Sequence, residues 1–343
     1  MTETKLGEAD VRRIVASLSD VRNEIGKVIV GQSGVVEEIL VALLAGGHCL
    51  LQGVPGLGKT LLLKTLAEVV ALPFGRIQFT PDLMPGDIIG AELLTEDGDG
   101  HRRFEFQRGP VFTSLLLADE INRTPPKTQS ALLEAMAEHR VTFAGKSHQL
   151  PEPFFVMATQ NPLEQAGTYP LPEAQLDRFL LMIEMVYPDA DEEVDILRRT
   201  TGSAQASVAP ILDVADIVAA QAIARDVAIS DPLLAYAATM IRATRPGQKT
   251  TIDAVTQWVR WGAGPRAGQA LVRAAKARAL LRNRLAVTLE DLNAMLVPVL
   301  RHRVLLNFQA EAEHVAVADV VAALIDASPG PEDPLAPEAK HSS

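Results

Sequence analysis

The chain has 343 residues, 48% of them hydrophobic, which is enough for two domains around a large core. Its formal charge of -11 gives the surface as a whole no attraction for phosphate backbones, so a nucleic-acid role starts at a disadvantage. A single cysteine, Cys49, excludes an internal disulfide framework, and no run approaches the roughly 20 apolar residues that span a bilayer.

Residues 1–27 are polar and charged, without the apolar stretch of a secretory signal, and a cytoplasmic location is expected. His48-Cys49-Leu50-Leu51-Gln52 reads as a buried strand, with Cys49 as a small core hydrophobe. It enters Gly53-Val54-Pro55-Gly56-Leu57-Gly58-Lys59-Thr60, and Leu61 to Ala71 reads as the helix that leaves. Further strands are expected at Arg76–Thr80, Ser114–Ala118, Phe154–Ala158 and Phe179–Met185, and a helix at Pro125–His139 with Thr124 as its cap. This alternation predicts an α/β fold, a parallel sheet flanked by helices. Two hairpins interrupt it. Ala91–Leu94 and Phe104–Gln107 flank the turn Asp97-Gly98-Asp99-Gly100, and Val141–Phe143 and His148–Leu150 flank Ala144-Gly145-Lys146-Ser147.

After Tyr187-Pro188 the strand signals stop. From Asp189 to Ser328 the pattern is helical, with Asp231-Pro232 opening one helix and a capping box, Thr288-Leu289-Glu290-Asp291, opening another. The expected organisation is a nucleotide-binding α/β core over 1–187, a small all-α domain over 188–328, and a disordered Pro- and charge-rich tail over 329–343.

The run Gly53 to Thr60 matches the phosphate-loop pattern of NTP-binding proteins in full. Small residues let backbone N–H groups close around phosphate oxygens, and the following helix points its positive end at them. Lys59 would bridge the β- and γ-phosphates, and the Thr60 hydroxyl would ligate Mg2+. Sixty residues beyond Lys59, an apolar strand ends in Asp119-Glu120. An acid at the C-terminal end of such a strand lies beside the phosphate site. Asp119 would hold the metal and Glu120 would polarise the attacking water, the two facing opposite ways as neighbours on a strand do. Another buried strand ends at Thr159-Gln160-Asn161-Pro162, and Asn161 can place its amide near the γ-phosphate.

The set GVPGLGKT, LLLADEINRTPPKTQSALLEAM, FFVMATQNPLEQAGTYPLPEAQLDRF and GAGPRA resembles the MoxR-type AAA+ ATPases, from about Val28 to Phe308. The stretch from Thr159 to Phe179 is the most specific part. The resemblance implies a P-loop NTPase core with a helical lid, hydrolysing ATP with Mg2+. Gly53, Pro55, Gly56, Gly58, Lys59, Thr60 and Leu61 would form the nucleotide loop, Asp119 and Glu120 would take the acidic roles, and Asn161 the sensor-one role. Val28 to Gln32, with Val28, Ile29 and Gly31, would line the adenine pocket. Arg178 matches an arginine finger that reaches into the adjacent subunit's site, with Arg123 as a rival. Arg266 matches the sensor-two arginine that reports the γ-phosphate to the lid, although Gly264 stands where a serine is common. The two hairpins match elements that face a central pore.

The function implied is a homo-oligomeric ring, a hexamer, that remodels or matures a protein client. Cofactor or metal insertion is the kind of maturation expected, with a von Willebrand factor A-domain protein supplied in trans because none follows the lid. Alternatives from the same branch are a nucleic-acid remodeller of the helicase-loader type, which the acidic balance disfavours, and a chelatase motor subunit. The seven histidines show no zinc-ligand spacing, so no metal beyond Mg2+ is expected. Trp258 and Trp261, three apart, read as packing inside the lid.

Overall fold

The computed structural model describes residues 7–96, 102–162, 167–201, 206–248, 251–328 and 330–331. The Asp97–Gly100 turn and nearly all of the tail expected to be disordered lie outside the described residues.

Helix α1 (Glu8–Gly26) buries Ile14, Leu18, Val21 and Ile25, an apolar stripe at helical spacing. Helix α2 (Ser33–Leu44) is apolar almost all round and is buried accordingly. Strand β1 (Cys49–Gln52) leads through the Gly-rich loop to α3 (Lys59–Val69), then β2 (Phe74–Gln78) and α4 (Pro85–Ile89). A hairpin, β3 (Gly90–Glu96) with β4 (Arg102–Arg108), precedes β5 (Leu115–Asp119) and α5 (Pro126–Glu138). A second, β6 (Arg140–Phe143) with β7 (Lys146–Gln149), precedes β8 (Phe155–Gln160), α6 (Glu173–Leu176) and β9 (Leu181–Glu184).

The five-stranded sheet has the order β2-β5-β8-β1-β9, every pair parallel, with Cys49 opposite both Met157 and Leu181. Both faces are covered, which is why these strands read as continuous apolar runs. Leu51, Leu115, Leu117 and Met157 face the core shared with α1, α2 and the C-terminal helices, while Leu50, Leu116, Val156 and Ala158 face the core under α5.

The remaining described residues form α7 (Ala190–Thr201), α8 (Val214–Asp226), α9 (Asp231–Ala243), α10 (Asp253–Trp258), α11 (Pro265–Leu281), α12 (Leu289–Leu300), α13 (Phe308–Ala312) and α14 (Val317–Ala327). They also hold a short ribbon of β10 (Val259–Trp261) and β11 (Leu305–Leu306), which helical periodicity does not announce. Asp291 accepts the Thr288 N–H at 2.9 Å, completing the capping box read at α12. No helix among the described residues is long and apolar enough to cross a membrane.

Two local expectations fail. Thr124 does not cap α5; the N-cap position falls to Pro125, whose own ring sets φ at -59 and which the following Pro126 keeps extended at ψ 153. Trp261 is 70% exposed rather than packed in the lid, because the chain leaves α10 at Trp258 and continues as a strand beside Leu305. Trp258 does pack against the core, with Nε1 3.3 Å from Glu313 Oε2.

Candidate nucleotide site

Because the sheet is parallel, the C-terminal ends of β1, β5 and β8 share one edge, and Lys59, Asp119, Glu120 and Asn161 gather along it. Gly56 and Gly58 take φ of +88 and +77, where a side chain is strained although nothing lies within 4 Å of where a Cβ would be. They serve backbone direction, which glycine takes without strain. Gly53 serves space, since a Cβ there would come within 2.9 Å of Met185 Cβ. Pro55 is exposed on the loop. The Lys59 ammonium donates to the Gly53 carbonyl, and burial lowers its pKa against the opposing pull of Asp119 and Glu120. A loop of turned amides, a half-buried cation, the N-terminus of α3 and the hard oxygens of Thr60 and Asp119 fit a Mg2+-bound polyphosphate. Among the described residues, no three or more His, Cys, Asp or Glu side chains gather as a metal cluster.

The two acids are arranged differently from the alternation expected of neighbours on a strand. The strand stops at Asp119, and Glu120 is left-handed at φ 58 and ψ 51, which brings it back toward the same place. One side chain organises both. The Thr159 hydroxyl donates to Asp119 Oδ1 at 2.7 Å and accepts the Glu120 N–H at 2.8 Å. Arg76 holds Asp119 Oδ2 at 2.7 Å, Gln78 donates to Glu120 Oε2 at 2.9 Å, and Arg123 pairs with that same oxygen at 3.2 Å. Sequence reasoning missed Thr159, Arg76 and Gln78. Only the order β2-β5-β8 makes them neighbours of the acids. Asn161 is buried one residue past β8.

Beside the loop lies a largely apolar cavity of about 260 Å3, lined by Val28, Ile29, Gly56, Leu61 and Met185 and closed by Ile196, Arg199 and Thr200 of α7. Gly31 sits just outside it at φ +63, against the Glu192 carboxylate, where a Cβ would come within 2.5 Å. Arg199 ties α7 down by donating to the Gly26 and Lys27 carbonyls at 3.3 and 3.0 Å. The α7 contribution was not legible in the sequence, since nothing in an amphipathic helix says what it covers.

Arg178 and Arg266 lie elsewhere. The link from the C-terminal end of β8 to the N-terminal end of the parallel strand β9 must run the length of the sheet, so Arg178 emerges at the opposite edge from Asn161. There it lines a concavity of about 330 Å3 with Gly46 and His48, which precede β1, and with Arg266, Arg273 and Arg303. Arg178 donates to the Leu133 carbonyl, while Asp177 takes Arg303 at 2.8 Å and Arg266 at 3.5 Å. Arg266, expected to report the γ-phosphate to the lid, therefore lies at the opposite end of the sheet from its own chain's Gly53–Thr60 loop. A four-residue strand is about 13 Å long, beyond an arginine's reach. Arg123, the rival to Arg178, is instead engaged by its own Glu120.

Comparison with known proteins bears on the family and the fold. Residues 48–181 match the model of the ATPase family associated with various cellular activities (AAA), and residues 253–324 match the AAA lid domain. The chain is 43% identical over 319 residues to Chaperone MoxR1 of Mycobacterium tuberculosis, covering 93% of this chain and 84% of that one. It is 32% identical over 325 residues to Protein MoxR of Methylorubrum extorquens, covering 90% and 93%. The crystal structure of an ATPase candidate from Cytophaga hutchinsonii superposes with a TM-score of 0.87 at 39% identity, covering 95% and 98% of the two chains.

Proposed function

This chain belongs to the MoxR-type AAA+ ATPases and hydrolyses ATP, and we propose that it does so at pockets completed by a second copy, in a closed ring of six. The amides of the Gly53–Thr60 loop and Lys59 hold the β- and γ-phosphates, and the apolar cavity under α7 takes the adenine. Thr60 and Asp119 hold Mg2+, which when bound neutralises charge on the phosphate oxygens. Glu120 accepts a proton from the attacking water, and Asn161 orients that water. Arg178 and Arg266 come from the neighbour and balance the charge that spreads over the γ-oxygens. A delivered guanidinium is worth roughly 10³–10⁵ in rate, so turnover depends on assembly.

The observation that carries this reading is the placement of Lys59 and the two arginines at opposite ends of parallel β1 and β9. Within one chain neither of these two arginines is placed to reach the Gly53–Thr60 loop. The work is passed to a protein client, and a relative bearing the name Chaperone MoxR1 supports that direction. A von Willebrand factor A-domain partner in trans and cofactor or metal insertion are the finer form of the proposal, set in the cytoplasm. The formal charge of -11 keeps nucleic acid outside it.

Complementation tests the shared pocket. Lys59→Ala and Arg178→Ala chains should each be inactive alone, and mixing them should restore ATPase activity, because some neighbours then pair an intact loop with an intact arginine. A mixture as inactive as its components overturns the reading.

A further inference from the structure

Helix α7 has two faces. Ile196, Arg199 and Thr200 turn inward over the nucleotide cavity, whereas Ala190, Val194, Leu197 and Thr201 form an outward stripe at i, i+4, i+7 and i+11. Val194 is 45% and Leu197 59% exposed, and no residue of the helix is buried. Such spacing is how one helix anchors in the groove of another surface.

A matching groove lies on the lid. Leu234, Ala237 and Ala238 of α9 and Gly268, Gln269 and Val272 of α11 line an apolar depression of about 520 Å3. Gly268 is inside a helix, where glycine costs about 1 kcal/mol relative to alanine. The fold does not require it, since an added Cβ would meet only Ile241 Cγ1 at an ordinary 3.8 Å. That contact also sets Gly268 beside the end of α9, so the two helices run antiparallel along the groove. Arg242 and Arg266 therefore mark one end, and Asp231, the first residue of α9, marks the other, where Arg273 also lines the groove but is spent on the Ala45 and Gly46 carbonyls at 2.7 and 3.0 Å. Helix α7 carries the complementary gradient, with Asp191 and Glu193 exposed in its first half and Arg198 in its second.

The groove shares Gln269 and Arg273 with the concavity that holds Arg178 and Arg266, at the opposite end of the sheet from α7. The two surfaces cannot meet within one chain, and a contact between copies is head to tail. We propose that the outward stripe of α7 docks into the α9–α11 groove of the neighbouring copy, with Val194 over Ala238 and Gly268, and Leu197 over Leu234 and Val272. This rests on the ring reading above and specifies its contact. It also explains how the arginines arrive. Arg266 is less than one turn from Gly268, so the neighbour's helix seated there brings Arg266 to within about 10 Å, a helix's thickness, of the neighbour's nucleotide site.

The test uses the full chain carrying both Val194→Cys and Ala238→Cys, with Mg2+ and a non-hydrolysable ATP analogue. The native Cys49 is fully buried and stays silent. A short bismaleimide should give a ladder of covalent species beyond the dimer, and neither single-cysteine chain should do so. Gly268→Phe fills the groove and should raise the midpoint concentration of assembly at least 10-fold, with ATP affinity unchanged. Assembly seen in sedimentation without a ladder, or an unmoved midpoint for Gly268→Phe, overturns the docking while leaving the shared pocket standing. Wild-type chains that stay monomeric at every concentration overturn both.

Discussion

Arg266 Nη1 lies 3.5 Å from Asp177 Oδ2, a long contact made by a guanidinium that is 72% exposed. The same carboxylate holds the buried Arg303 at 2.8 Å, so the two arginines differ in how firmly they are kept. Exposed pairs of the first kind are worth little, ~0–1 kcal/mol, and Arg266 can be surrendered to a neighbour's phosphate at small cost. Arg303, bonded also to the Phe179 and Leu180 carbonyls, stays to hold the segment that presents Arg178.

Arg178→Ala should bind ATP with unchanged affinity yet poison mixed assemblies. Doped into wild-type protein, it should lower steady-state ATPase activity more steeply than its molar fraction. Activity falling strictly in proportion to that fraction would remove Arg178 from the neighbour's pocket.

Lys59→Ala should abolish ATP binding measured by calorimetry. The ammonium lies over the loop on the Gly53 carbonyl and is held partly desolvated there. Unchanged affinity would refute the phosphate-loop assignment.

Glu120→Gln should retain nucleotide but turn over at least ~10²-fold more slowly, as loss of a water activator requires. Thr159→Val is the more revealing companion. Its hydroxyl is bonded to Asp119 and to the Glu120 N–H, so kcat should fall about 10- to 100-fold while Mg2+-free ATP affinity holds. A Thr159→Val chain with wild-type kcat would show that the two acids need no shared anchor.

Glu38 gives a pH signature. Burial, only partly offset by Arg301, raises its carboxyl from 4.5 to about 7. A carboxyl with a raised folded pKa costs stability that appears as pH climbs from 4.5 and is complete above 7. Glu38→Gln should therefore be more stable than wild type at pH 8, on the order of 2 kcal/mol after discounting for partial exposure, and equal to it near pH 4.5. Thermal melts at both values decide the matter, and an advantage that grows on acidification would reverse the assignment. His48 tilts the other way. It is fully buried, accepting the Val156 N–H at 3.1 Å and facing the Met136 carbonyl at 3.2 Å, with a pKa lowered to about 4 by burial. Its contribution is lost as pH falls from 6.5 to 4.

Much of the core was legible because buried parallel strands leave unbroken apolar runs. Leu115–Asp119 and Phe155–Gln160 fall within a residue or two of where their hydropathy put them. Strand β2 was read two residues late, since an edge strand buried mainly at Ile77 carries a weaker pattern. The loop from Gly53 to Thr60 was legible for a different reason: phosphate binding is done by contiguous backbone, so the motif and the local geometry coincide.

The chain's residue order alone determined that an NTP loop, two acids and an asparagine would follow successive strands, because each lies within a few residues of its own strand end. It also determined the family. Which ends of those strands meet, and which arginines lie beyond reach, was decided only in three dimensions. The sheet order β2-β5-β8-β1-β9 brings Thr159, Arg76 and Gln78 to the acids. The crossing from β8 to β9 carries Arg178 to the far edge, where Arg266 joins it through Asp177. A side chain acts only over its own length, and proximity between distant segments is set by strand order and direction, which no local pattern of residues encodes.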